Sequence, residues 1–310
     1  MPKSSSRTTV MGGKTSAGRA RMLVVLLAAL AAACSKGTAA SGDAGTAASG
    51  DAGSVRDGGG FGDAGNSDWR QLLLPKRQPL RIAAGSDLEL AFRHLAVQFE
   101  LKGGVHVDLS FGATGLLAKQ ISDGTSFDVF AANVSHVDDV VRSGACFGDT
   151  KALYAKGHIV LWTKSPSTLP KDISTLKDPK YKTIAIANPD HSSYGRAARE
   201  AMTKSGIWAD VQQRVVFGEN VQQAMTMVKS GQADVSLIAM SLVANMPGTY
   251  ALVDEGLHEA LDQALVICKS KSGGPRNLDA HAFLNFMDSD DGRAIMRQYG
   301  FLLSADRRDR

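Results

Sequence analysis

The sequence lacks most of the short patterns that mark enzymes and metal proteins. Its seven histidines are scattered, and neither a His-Glu-x-x-His nor a Cys-x-x-Cys spacing occurs. That removes the common zinc signatures. No Gly-x-Ser-x-Gly elbow occurs either, which removes the usual hydrolase nucleophile. His191 does stand beside Ser192 and Ser193, but it follows Asn188-Pro189-Asp190 and precedes a helix. Local turn chemistry accounts for that cluster better than nucleophilic catalysis, so no catalytic residue is expected. No Lys/Arg stripe interleaved with aromatics is present to track a nucleic-acid backbone. Long apolar runs are also missing. The longest near the start, residues 22–33, is about a dozen residues, where a membrane span needs roughly 20.

The formal charge of +4 is set by the first residues. Lys3, Arg7, Lys14, Arg19 and Arg21 precede or open the short apolar run, and no acidic residue accompanies them. A basic start, an apolar core and small residues form a secretory signal, expected over 1–33. Without it, thirty basic residues face thirty-one acidic ones, a net charge of −1. The basic isoelectric point therefore says nothing about partners.

Cysteine is scarce: Cys34, Cys146 and Cys268. Cys34 follows Ala31-Ala32-Ala33 and resembles the lipidation site of bacterial lipoproteins, with Leu30 one place further out than that pattern prefers. Lipidation of Cys34 would anchor an exported protein in the cell envelope; plain cleavage after the alanines is the alternative. Cys146 and Cys268 either pair in the oxidising compartment or stay as two buried thiols. Residues 34–78 are Gly, Ala, Ser, Asp and Thr with few large side chains, and the octet GTAASGDA repeats at 37–44 and 45–52. Such a segment cannot bury enough surface to offset its ordering entropy and is expected to be a flexible tether.

From Leu80 onward strand and helix signals alternate. Strands are expected at 81–84, 105–111, 127–131, 158–163, 183–187, 215–217, 235–239, 250–253 and 264–268. Helices are expected at 87–99, from 116, through Val137, Val140 and Val141, at 196–204 and from 221. Two more are expected near the end, around Phe283, Leu284 and Phe286 and around Ile295 and Met296. Met225, Met227 and Met240 fit the core of such helices rather than metal handling. This is an α/β pattern with largely parallel strands, long enough for two lobes.

Four strand-to-helix turns share one composition: Gly85-Ser86-Asp87, Gly112-Ala113-Thr114-Gly115, Asn188 to Gly195, and Gly218-Glu219-Asn220-Val221. Each puts small or hydroxyl residues at a helix N-terminus, which offers unpaired N–H groups and partial positive charge to an anion. Any one turn alone reads as an ordinary N-cap. Thr114 is expected to donate its hydroxyl and Gly115 its backbone N–H. Glu219, which would repel an anion, is expected to point outward, and Asp87 to face solvent from the first helical turn.

The stretch from Arg81 to about Phe301 resembles the periplasmic molybdate-binding proteins of ABC importers. The resemblance rests on Ala83-Ala84-Gly85-Ser86 and on Ser110-Phe111-Gly112-Ala113-Thr114-Gly115 followed by Leu117-Ala118-Lys119-Gln120-Ile121. It continues through Phe127-Asp128-Val129-Phe130, Tyr194-Gly195-Arg196-Ala197-Ala198, Glu219-Asn220-Val221 and Tyr299-Gly300-Phe301. It implies a two-lobed periplasmic-binding-protein fold with mixed, mostly parallel sheets and two crossover hinge strands. The first lobe would hold 79–161 and 266–310, the second 162–265, with crossings at 158–163 and 264–268.

By position, Ser86, Thr114, Tyr194 and Val221 would contact a molybdate or tungstate oxyanion, and no metal cation or cofactor is implied. Some members carry a Tyr at the end of the strand that here ends in Ala239, which has no side-chain donor; the Tyr194 ring is the candidate substitute. The implied partners are the permease and ATPase subunits of an importer, with the binding protein itself a monomer. Three other readings stay open: a carrier of sulfate or phosphate, a secreted enzyme, and a cytosolic effector-binding regulator, which would need a DNA-reading helix-turn-helix.

Overall fold

Leu80, Ile82, Ala83 and Ala84 are fully or almost fully buried, and they form the strand β1, Leu80–Gly85. Leu88, Phe92, Leu95 and Phe99 recur at helical spacing and are buried together, the last three along the helix α1, Glu89–Leu101, and Leu88 just before it. A short 3-10 turn, Ser86–Leu88, joins the two. In this computed structural model residues 77–246, 249–270 and 277–303 are described. All of them lie in one unit, Gly65–Arg310. The expected signal, Cys34 and nearly all of the expected tether fall outside the described residues.

The pattern repeats with β2 (Val107–Gly112), α2 (Thr114–Ser122), β3 (Val129–Asn133) and α3 (Val134–Arg142), then β4 (Ala152–Gly157). There the chain passes through His158 into β5 (Ile159–Trp162). Next come β6 (Ile184–Ala187), α4 (Ser193–Lys204), α5 (Trp208–Val211), β7 (Val215–Gly218), α6 (Val221–Lys229), β8 (Val235–Ala239) and β9 (Tyr250–Leu252). The chain returns in β10 (Leu261–Ile267) and ends with α7 (Leu278–Asp288), α8 (Asp290–Gln298) and β11 (Leu302–Leu303).

Two sheets result. The first runs β11-β4-β10-β3-β1-β2 and the second β7-β6-β8-β5-β9, each with its own apolar core. Both are mixed. The parallel ladders lie in the βα cores, β2-β1-β3 and β7-β6-β8. The strands on either side of the crossings, β4, β5, β9 and β10, pair antiparallel. The changes of sheet come earlier than the expected boundaries. The first is at His158 rather than after Leu161, because β5 pairs with β8 and β9. The second lies between Leu252 and Leu261 rather than after Leu265, because all of β10 pairs with β3 and β4.

Cys146 and Cys268 form a disulfide. It ties the loop after α3 to the residue following β10, where the two cysteines also bridge through their backbones. Both are buried. Of the two readings open from the sequence, the paired one holds.

Candidate ligand site between the lobes

Strand register aligns the turns in pairs. Gly85 lies opposite Gly112 in the β1–β2 ladder, so the turns carrying Ser86 and Thr114 leave the first sheet side by side. Ala187 lies opposite Gly218 in the β6–β7 ladder, so the turns leading to Tyr194 and Val221 leave the second sheet side by side. In α/β sheets this carboxyl edge is where ligands bind.

Local chemistry then fixes what each helix start offers. Ser192 caps α4 by accepting from the Gly195 N–H at 3.3 Å, and Asn220 caps α6 by accepting from the Gln223 N–H at 3.0 Å. Neither cap takes the N–H of Tyr194 or Val221, which sit in the first turns of those helices. Gly195 allows the close fit, since a Cβ there would stand 2.2 Å from the Ala187 carbonyl oxygen. Thr114 opens α2 behind Ala113, which has no side chain to cap it.

The lobes touch around these turns. The Gly115 N–H donates to the His191 carbonyl at 2.8 Å, the Ser241 hydroxyl to the Asp87 carbonyl at 2.5 Å, and the Gln222 amide to Glu89 at 3.0 Å. A groove of about 360 Å3 between them is lined by Ser86, Glu89 and Phe111 from one side and Glu219, Asn220 and Gln222 from the other. Ser86, Thr114, Tyr194 and Val221 are all at least nine-tenths buried, and the Thr114 Oγ1 has no hydrogen-bond partner. Leaving a buried hydroxyl unpaired costs about 1–3 kcal/mol, so this atom is poised for a partner. Glu219 is exposed, as expected, and its backbone N–H is taken by the Gln223 side chain.

Two expectations are corrected. Gly115 does not hold its N–H toward a ligand, because that group is spent on His191 of the facing turn. Asp87 does not face solvent: it is 3% exposed. The 3-10 turn buries Ser86, Asp87 and Leu88 alike; from the second lobe Ser241 holds the Asp87 backbone carbonyl and the Tyr194 hydroxyl lies against the carboxyl. A reading of α1 alone could not show this, because the covering residues come from elements more than sixty residues away in sequence.

The Asp87 carboxyl lies in a cluster the sequence reading missed. Its Oδ2 accepts from the Gln263 amide at 3.2 Å. Burial pushes the carboxyl's pKa up, against lesser downward pulls from its own backbone N–H and from the Tyr194 hydroxyl on α4. The pKa of Asp87 is raised to about 7. Burial likewise pushes the Tyr154 and Tyr194 hydroxyls well above their usual range, with the Asp87 charge adding to it. The Tyr194 ring packs its hydroxyl against Gly157, where a Cβ would come within 2.0 Å of it. Gln263 gave one faint signal, a polar residue inside an apolar strand. Tyr154 sits on β4, a strand the sequence reading did not place.

Among the described residues no group of three His, Cys, Asp or Glu could hold a metal ion, and no helix is long and apolar enough to cross a membrane. Two α/β lobes meeting over four helix N-termini define a two-lobed binding protein of the periplasmic type. The profile of the bacterial extracellular solute-binding protein family matches residues 80–302, and the chain belongs to that family. The molybdate-binding protein ModA of Rhodobacter capsulatus is 30% identical over 212 residues, covering 68% of this chain and 82% of that one. ModA of Azotobacter vinelandii is 28% identical over 228 residues, covering 72% and 89%. The solved periplasmic molybdate-binding protein of A. vinelandii superposes with a TM-score of 0.68 at 27% identity, over 72% of this chain and 99% of that one. These relatives are binding proteins rather than enzymes.

Proposed function

We propose that this chain is the exported binding component of an ABC importer and that it captures molybdate or tungstate between its lobes. The first lobe comprises about 79–157 and 261–303, the second about 159–252, and they swing about the crossings at His158 and 253–260. Ser86 and Thr114 donate from the first lobe, Tyr194 and Val221 from the second, the latter two through backbone N–H groups. The permease and ATPase subunits of the importer are the partners. The observation that carries the reading is the Thr114 hydroxyl, buried and unpartnered at a helix start against the facing lobe. The likeness to molybdate-binding proteins over most of the chain supports the choice of anion.

Calorimetry with a panel of oxyanions tests this. Molybdate and tungstate should bind first, sulfate well behind and phosphate last. Sulfate is the smaller ion and leaves some donors beyond about 3.2 Å, where hydrogen bonds weaken. A hydrogen bond to a charged group contributes roughly 1.5–3 kcal/mol. Thr114→Val keeps the shape and removes the donor, so affinity should fall about tenfold or more, 1.4 kcal/mol being tenfold. Unchanged molybdate binding in that variant would place the anion elsewhere.

A second reading has one observation in its favour. An inward carboxyl at Asp87 can accept a proton from a protonated oxyanion such as hydrogen phosphate. It predicts phosphate binding as tight as that of molybdate, with that affinity lost in Asp87→Asn.

The N-terminal segment adds a place of action. Lipidated Cys34 anchors the protein at the membrane beside its permease, and the Gly/Ala/Ser/Asp tether lets the lobes reach it. Cells fed a labelled fatty acid should mark the wild type and not Cys34→Ser. An unlabelled wild type released in soluble form would refute the anchor.

A further inference from the structure

Two buried carboxyls of the first lobe are treated very differently. Asp128 is fully served: its Oδ2 accepts the Arg81 N–H at 2.8 Å, and its Oδ1 accepts the Asn277 amide at 3.0 Å and the Ser270 hydroxyl. Asp87, equally enclosed, has among the described residues the Gln263 amide at 3.2 Å and the nearby Tyr194 hydroxyl. Among the described residues no lysine, arginine or histidine is one of the groups that act on it.

Of the groups facing it, Tyr194 comes from α4, Tyr154 from β4 and Gln263 from β10, all neutral. Ser241, beyond β8, holds the Asp87 backbone carbonyl. Glu89, two residues on, turns its carboxylate to Arg93 and Gln222. The carboxyl also borders the proposed anion site. A Cβ built on Gly85 would meet Asp87 Oδ1 at 2.5 Å and the Thr114 methyl at 2.8 Å, so the two side chains flank one glycine.

An ionised Asp87 beside a bound dianion would be two like charges in a buried place with no cation between them. Like charges at close range disfavour ionisation, and so does burial. A protonated Asp87 instead needs one acceptor. Gln263 Oε1 is buried and unpartnered on the same amide that already faces the carboxyl. Half a turn of that amide presents Oε1 to an Asp87 hydroxyl.

We propose that Asp87 carries a proton whenever the lobes are closed over the oxyanion, so that capture of the dianion takes up one proton from solvent. The new O–H bond is on the Asp87 carboxyl; the proton is released by buffer or water, and the anion keeps both its charges. Asp87 is thus a positioning and selectivity residue that acts through the charge of the site. This inference rests on the oxyanion reading above. The unusually high proton affinity of the carboxyl supports it, with a pKa near 7 rather than the ordinary 3.8 even without an anion beside it.

The sign follows from linkage. The bound state holds the proton more tightly than the free state, so affinity is full at low pH and falls as pH rises past the free-state value. The fall is at most about tenfold per pH unit, the limit for one proton. The wild type is titrated with molybdate by calorimetry from pH 6 to 9, in buffers of different ionisation enthalpy, alongside Asp87→Asn.

The wild type should take up close to one proton per molybdate near pH 8, and its Kd should rise between pH 7 and 9. Asp87→Asn, neutral at every pH, should take up none, show a flat profile and bind at least as tightly as wild type at pH 8.5. Wild-type molybdate binding with no proton uptake and a flat profile would overturn the inference while leaving the oxyanion reading intact. Loss of binding by a hundredfold or more in a folded Asp87→Asn at all pH values would also overturn it, since the carboxylate itself would then be required. No binding of any oxyanion by the wild type would instead remove the functional reading beneath it.

Discussion

Replacing both Cys146 and Cys268 by alanine should lower the free energy of unfolding by about 3–5 kcal/mol, the range for crosslinks that close long loops. The two residues are 122 apart in sequence, and the loop they close contains the whole second sheet from β5 to β9. Loop-closure entropy grows with loop length, and a loop of about 100 residues corresponds to roughly 4.7 kcal/mol in the chain-entropy model. For a body of this size each kcal/mol shifts Tm by about 2–4 °C, so a fall of about 6–20 °C is expected. Affinity at 25 °C should hardly change. β10 runs antiparallel to β3, pairing Gln263 with Asn133 at the site edge and Ile267 with Val129 at the other end, so the crosslink beyond Ile267 is at the far edge of the sheet. Thermal unfolding of the double variant, with titration at 25 °C, checks both halves. An unchanged Tm would mean that the crosslink constrains little in the unfolded chain.

The strands and helices of the two βα cores were legible because burial imposes periodicity. Ile184 to Ala187 are apolar throughout, Val235 to Ala239 apolar but for Ser236, and both are buried throughout and form inner strands of the second sheet. The stripe of Leu88, Phe92, Leu95 and Phe99 could only be a helix lying on a sheet. β4 was not legible. Its residues Ala152 to Gly157 include a lysine and a glycine and are half exposed, and they are held as a strand by β10 and β11 from the far end of the chain. The helix starts after β2, β6 and β7 were legible as such, since small and capping residues after apolar strands are ordinary N-terminal signals.

What those starts face was not legible. Asp87 reads like any acidic residue in a first turn, where the helix dipole favours it. Its burial is decided by Tyr194 and Ser241 from the second lobe and by Gln263 from β10. Gly115 reads like an anion-binding glycine and serves the facing lobe instead. Both corrections arise at the junction between lobes, where contacts join residues 76 to 176 positions apart. Local pattern carries no record of such pairs.

Gly115→Ala should weaken molybdate binding by about ten- to a hundredfold while leaving the unliganded protein as stable as before or slightly more so. The two effects have different origins. Gly115 is the second residue of α2, and no unusual backbone angle holds it there. Alanine is the better helix former by up to about 1 kcal/mol, so the first lobe loses nothing by the change. The facing lobe does lose. A Cβ at this position would stand 2.9 Å from the His191 carbonyl oxygen, 3.1 Å from its Cα and 3.3 Å from its carbonyl carbon. These are backbone atoms in the turn that leads to α4, so no side-chain rotation relieves them, and the Gly115 N–H to His191 bond of 2.8 Å must lengthen or break. The turn that must retreat is the one that leads to Tyr194, so the donors proposed for the second lobe retreat with it. A loss of 1.4–2.7 kcal/mol corresponds to the stated ten- to hundredfold range, and it falls on the closed state alone. Titration calorimetry with molybdate, paired with thermal unfolding in the absence of ligand, separates the two. A parallel fall in Tm and affinity would show that Gly115 supports the fold of its own lobe, and unchanged affinity would show that the lobes do not meet here when the anion is held.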